Sequence, residues 1–148
     1  MHLRARELIE ALDLAPHPEG GFYRQVFKSA ETVTRPSGEV RSALTTIYFL
    51  LVKGTHSRWH RVKSDEVWHH DEGDALELLT VAPGESAVRR TVLGPLAGDT
   101  VPVHVVPAGW WQSARPLGDY TLVGCTVGPG FEFEDFEMLP EGEAPPGT

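Results

Sequence analysis

The sequence has a single cysteine, Cys125, among 148 residues, so no disulfide can form within the chain. A fold held by covalent staples is excluded, and a reducing compartment is favoured. Long apolar runs are also missing. None approaches the ~20 residues of a membrane span, and the nearest, Ile47 to Val52, has the length of one strand. The opening MHLRARELIEAL is charged throughout and lacks the apolar stretch of a signal peptide. Cytoplasmic residence without membrane attachment is therefore the expectation. Basic residues are scarce: 13 Lys and Arg stand against 21 Asp and Glu, for a formal net charge of −8. A surface of that sign repels phosphate backbones and argues against nucleic-acid binding. A small-molecule pocket escapes this argument, because its local sign is its own.

What the sequence does have is strand pattern. Its length fits one domain, which at this size buries roughly 70% of the surface its unfolded chain exposes. One helix is expected at the start, where Ala5, Leu8, Ile9 and Leu12 share a helical face. Pro16 and Pro18 end it. PHPEGG then reads as a turn, with Gly20 and Gly21 free to take positive φ. From Phe22 onward, short runs rich in β-branched and aromatic residues recur at 22–28, 42–52, 57–62, 66–71, 75–82, 87–93, 101–106, 110–114 and 120–127. Regular spacing of short strands predicts an all-β antiparallel sandwich or barrel. FEFEDFEML alternates Phe131 and Phe133 with Glu132 and Glu134, as an edge strand or a partner-facing strip would. One domain over 1–140 and a disordered tail over 141–148 complete the expected organisation.

Residues 54–73, GTHSRWHRVKSDEVWHHDEG, hold four of the seven histidines: His56, His60, His69 and His70. Alternation puts Arg58, His60 and Val62 on one face of strand 57–62, and Glu66, Trp68 and His70 on one face of strand 66–71. The VKSD turn predicts a hairpin in which His60 approaches Glu66. An imidazole and a carboxylate facing one cavity can ligate a metal or act as a general acid/base pair. Alternation also turns Arg24 inward with Phe22 and Val26, where it would hold an anionic partner. Tyr48 is placed in the barrel interior with Thr46 and Leu44, and Tyr48 or Tyr23 is a candidate acid. Trp110 and Gln112 share a face and are candidates for the pocket mouth. His17 reads as a turn residue, His56 and His104 as solvent-facing, and the acids from Glu132 to Glu137 as solvated charge. Cys125 reads as a small core residue rather than a nucleophile.

The spacing of Gly54, His60, Glu66 and Gly73 resembles the first motif of the cupin superfamily, with Val62 where that motif has a second histidine. Pro107-Ala108-Gly109 resembles the start of the second motif, with Gln112 where its histidine would stand. PHPEGGFYR, SDEVWH, VPAGWWQSA, LVGCTV and PGFEFEDFE resemble, more closely, a small cupin family of uncharacterised function. That family is similar in fold to germins and to dTDP-sugar 3,5-epimerases. The resemblance implies a cupin jelly-roll barrel with a short N-terminal helix, commonly a homodimer. In that family another histidine usually stands near position 71, where this chain has Asp71.

Two of the four ligands the superfamily implies are thus present. A third nitrogen would have to come from His69, which the family pattern favours, or from His70, which alternation favours. A bulge between 66 and 70 would reconcile the two. Three functions follow as expectations. In the first, His60 is a base polarised by Glu66 in an epimerase or isomerase that needs no metal and acts on a carbohydrate-like anionic substrate. Arg24, Trp68, His70, Trp110 and Gln112 are its ligand-binding candidates. In the second, His60, Glu66 and His69 or His70 hold iron, manganese, nickel or zinc in a metal-dependent oxidoreductase or isomerase. In the third, the barrel binds a small ligand without turning it over.

Overall fold

Ala5 and Leu8 commit the first segment to a helix that must lie on something apolar. Both are buried, in α1 (Leu3–Ala11) of the computed structural model, which describes residues 1–148. The His2 ring caps the helix by accepting from the Arg4 N–H. After α1 come β1 (Ala15–Pro16) and β2 (Phe22–Lys28), then a hairpin of β3 (Thr32–Thr34) and β4 (Val40–Ser42). They are followed by β5 (Thr45–Val52), β6 (Ser57–Val62), β7 (Asp65–Gly73), β8 (Leu76–Val81) and β9 (Arg89–Leu93). The chain continues with β10 (Thr100–Val101), β11 (Val103–Val106), β12 (Trp111–Pro116), β13 (Tyr120–Gly128) and β14 (Phe136–Met138). No helix is long and apolar enough to cross a membrane.

Two six-stranded sheets form the body, in the orders β1-β2-β5-β13-β7-β11 and β10-β9-β8-β12-β6-β14. This is the expected all-β jelly roll with a short N-terminal helix. Phe49, Leu51, Trp68 and Val123 from the first sheet meet Leu76, Leu78, Leu93 and Ala114 from the second. α1 covers the outer face of the first sheet, packing on Leu50, Val52 and Leu122. Apolar side chains, aliphatic and aromatic, therefore fill one end of the sandwich. At the other end the inward positions carry smaller or polar groups, including Thr45, His60, Val62 and Glu66, and a cavity remains.

Three expected elements differ. The run 42–52 breaks at Ala43-Leu44, so that β4 pairs with β3 while β5 enters the large sheet. The run 101–106 breaks at Pro102, whose missing N–H ends the ladder, and β10 and β11 join different sheets. β6 and β7 are not a paired hairpin either. Lys63 and Ser64 carry the chain from one sheet to the other, so His60 and Glu66 face each other across the sandwich interior. At the C-terminal end an edge strand forms only at β14, antiparallel to β6, while Phe133–Asp135, expected to alternate as strand, make a 3-10 turn. Asp135, expected in water, is buried beneath Arg41, which donates to it at 2.8 and 2.9 Å. Residues 141–148, whose composition predicts disorder, turn back onto the barrel with Pro145 buried.

Candidate active site

The open end of the sandwich holds a cavity of about 290 Å³. Its size sits at the lower limit of small-molecule pockets. Its deep end is polar, with Glu19, His60, Glu66 and the Cys125 thiol. Its walls are aromatic: Phe131, Phe133 and Phe136 pack edge to face with one another. His17 packs edge-on against Tyr23 at 4.5 Å, and Phe136 stacks on His60 at 5.4 Å.

The centre of the site is a pair the sequence does not advertise. Glu19, from the PHPEGG turn, is buried against His60, with its carboxylate 2.6 Å from His60 Nδ1. Ser57 Oγ–H donates to the same carboxylate oxygen at 2.8 Å. The Arg58 N–H donates to the Glu19 carbonyl at 2.7 Å, which fixes the turn on β6. The nearest neighbours of His60 Nδ1 are the Glu19 carboxylate and the Arg58 carbonyl, both acceptors, so Nδ1 carries the proton. Nε2 has no hydrogen-bond partner in the protein and is left to the cavity. Burial pushes the His60 pKa down, but the charge and hydrogen bond of Glu19 outweigh it, together with Glu66 and the Arg58 carbonyl. The result is a pKa raised to about 9. Burial works against the Glu19 carboxylate too, yet His60 and its other partners hold its pKa below the ordinary value.

His17 is the second residue that reads as ordinary and is not. Its side chain is buried at the cavity wall. Nδ1 accepts from the Glu19 N–H at 3.1 Å, so the neutral ring carries its proton on Nε2. Burial lowers its pKa, with Glu19 opposing, which favours that neutral form.

Glu66 is fixed from behind. Trp68 Nε1–H, which can only donate, gives a 2.9 Å hydrogen bond to Gln112 Oε1. The Gln112 amide nitrogen must then face Glu66, and it donates to Glu66 Oε1 at 2.9 Å. Burial raises the Glu66 pKa against the pull of His60, so the carboxyl is pushed toward its neutral form. The Cys125 thiol lies against it and is itself raised by burial and by nearby carboxylates. A thiol so held is a poor nucleophile.

Of the residues expected at the site, His60 and Glu66 line the cavity, and Trp68 and Gln112 lie directly behind Glu66. The others lie elsewhere. Arg24 is exposed and its guanidinium reaches the Leu12 carbonyl, because β2 turns Tyr23, Gln25 and Lys28 inward instead. A register shift between Gln25 and Phe27 keeps Lys28 on the cavity side. Tyr48 packs on the outer face with the α1 cluster, since the inward residues of β5 are Thr45, Ile47, Phe49 and Leu51. Tyr23 is the tyrosine of the cavity. Trp110 packs against the core from just before β12, beneath the Arg89 guanidinium.

His69 is exposed, and His70 turns its Nε2 toward the Gly73 and Asp74 carbonyls. The strand irregularity comes beyond His70, opposite Leu122 and Val123, so it does not bring His69 inward. The set His60, Glu66 and His69 or His70 is not assembled. No three His, Cys, Asp or Glu side chains are gathered as metal ligands. The residues present do not fit the metal that the cupin motifs imply.

The PHPEGG turn depends on its glycines. Gly20 has φ +112°, and a Cβ there would be driven into the His56 carbonyl oxygen. Gly20→Ala is expected to cost at least the about 1–3 kcal/mol of a strained backbone position, and to release Glu19 from His60. Gly38→Ala, at φ +93° with open space around it, should show the backbone strain alone. Urea unfolding of the two variants checks the difference, and equal midpoints would contradict it.

These features define a jelly-roll barrel with a polar, carboxylate-lined cavity at one end. The chain belongs to the family described as Cupin_5, Cupin superfamily (DUF985), whose pattern matches residues 6–139. It is similar to a hypothetical protein from Leishmania major, with 34% identity and a TM-score of 0.84, covering 91% of this chain and 86% of that one. It is also similar to a protein from Shewanella oneidensis, with 37% identity and a TM-score of 0.82, covering 91% and 84%. A dTDP sugar isomerase from Desulfovibrio desulfuricans shares the fold at 13% identity and a TM-score of 0.59, over 82% and 83% of the two chains. No curated protein sequence matches the chain.

Proposed function

We propose that the cavity binds a small, carbohydrate-like anionic molecule and moves a proton on a carbon beside its carbonyl group, as in epimerisation or isomerisation. The observation that carries this reading is the buried Glu19–His60 pair, whose free Nε2 faces the cavity. In its neutral form Nε2 takes the proton. The C–H bond breaks, and its electron pair moves through the carbon–carbon bond to the carbonyl oxygen, giving an enolate. Glu19 stabilises the imidazolium that forms. The His17 Nε2–H and the Glu66 carboxyl are the donors available to the enolate oxygen. Tyr23 is the group placed to return a proton from another side. The fold shared with a sugar isomerase supports the reaction class by analogy only. The homodimer implied by the family resemblance belongs to the same proposal, supported by Val103 and Val105, exposed on neighbouring outward positions of β11.

The test is hydrogen exchange. Sugar phosphates and nucleotide-linked keto sugars are incubated with the protein in D2O, and loss of the C–H signal beside the carbonyl is followed by proton NMR. Wild type should wash deuterium in, and His60→Asn should slow this by about 10²–10⁴-fold. Equal exchange in wild type and His60→Asn would defeat the reading. So would a ligand that binds in the cavity without exchanging.

A further inference from the structure

We infer that Lys28 is the residue that recognises the anionic group of the ligand, and that this group competes with Glu132 for it. The inference rests on the ligand reading above and adds to it the residues that select for charge. Lys28 is the one lysine or arginine among the residues lining the cavity. It stands at the end of β2, about half exposed, with its Nζ 3.0 Å from Glu132 Oε1. Glu132 lines the same cavity between Phe131 and Phe133 and makes no other ion pair.

An ion pair this exposed is weak, because water screens it and both side chains lose freedom in making it. A ligand carboxylate or phosphate can therefore displace Glu132 at small cost and take over Lys28. Glu19, His60 and Glu66 are buried lining groups of the cavity, whereas Lys28 and Glu132 are solvent-exposed ones. A ring seated on Phe131 and Phe136 would thus present its reacting end to His60 and its charged substituent to Lys28. Glu132 then has two effects. It competes with the ligand's anion for Lys28, and it repels anions when Lys28 is absent.

The two residues consequently have opposite signs in binding. The probes are glucose 6-phosphate, glucuronate and neutral glucose, titrated into the full-length protein by NMR and calorimetry. Lys28→Met should weaken both anions about 10-fold or more, and Lys28→Arg should restore most of the affinity. Glu132→Gln should tighten both several-fold. Glucose should bind equally to all four proteins. A phosphate response without a glucuronate response would identify the group as phosphate, and the reverse as carboxylate. Anion affinity unchanged in both Lys28→Met and Glu132→Gln would overturn the inference, as would no binding of either anion to wild type and Glu132→Gln. The expected binding pattern without any deuterium exchange would uphold Lys28 and overturn the proton-transfer reading alone.

Discussion

Glu19→Gln is expected to drop the His60 pKa from about 9 to below its ordinary value and to slow proton exchange on the substrate by at least about 10²-fold. Glutamine keeps the size of the side chain and can still accept from Ser57. It has no charge with which to hold an imidazolium in a buried site, so the desolvation that Glu19 now overcomes is left to act. The base would then be neutral at pH 7 but too weak, and the ion formed on proton abstraction would have no counter-charge. Removing one partner of a buried ion pair typically costs about 3–5 kcal/mol. The loss here should be smaller, because His60 sheds its proton instead of remaining a lone buried charge. Proton NMR of the imidazole and exchange kinetics measure the two effects together. A Glu19→Gln protein with His60 still titrating near 9 and exchange intact would show that the pair is only structural.

The second large effect is on pH dependence. His60 is a base only after losing its proton, so kcat/KM should climb with pH and level off above about 9. Stability should move the other way. A group whose pKa is raised by folding contributes stability that is complete below its unfolded value and lost as pH rises through its folded value. For His60 that decline runs from the ordinary 6.5 up to about 9, at about 1.4 kcal/mol per pH unit for one proton. Glu66, also raised, acts in the same sense, beginning from its ordinary 4.5. Glu19 is lowered, so its contribution is present above 4.5 and lost as pH falls through its depressed value. The protein should therefore be most stable in mildly acidic solution and most active in alkaline solution. Urea unfolding and exchange rates across pH 5–10 check this opposition, and a stability that rises between pH 6.5 and 9 would contradict it.

Strand content, the helix face and the His60/Glu66 pair were legible because each rests on local spacing. What was not legible depends on which way a strand turns and what a distant loop brings to it. Alternation within FYRQVFK, and within TTIYFLLV, gives two faces but not which is inward, and Arg24 and Tyr48 each lie on the outer one. β6 and β7 looked like a hairpin because the VKSD turn is short, yet short turns also connect strands of facing sheets. Glu19 and His17 sit in a proline- and glycine-rich segment whose composition says only that the chain turns there. The signal that could have found Glu19 is a carboxylate held between Pro18 and two glycines of positive φ, a backbone shaped for close approach to another strand. Gln112 stands where the second motif has its histidine. Its partner Trp68, fixed as a donor, makes it the support of Glu66 instead.

The most direct measurement is a ¹⁵N NMR titration of the His60 ring in the full-length protein between pH 5 and 10. The expected result is that Nδ1 keeps its proton throughout, held by Glu19, while Nε2 loses its proton near pH 9. A ring that titrates at or below 6.5, or that gives up the Nδ1 proton first, would contradict it.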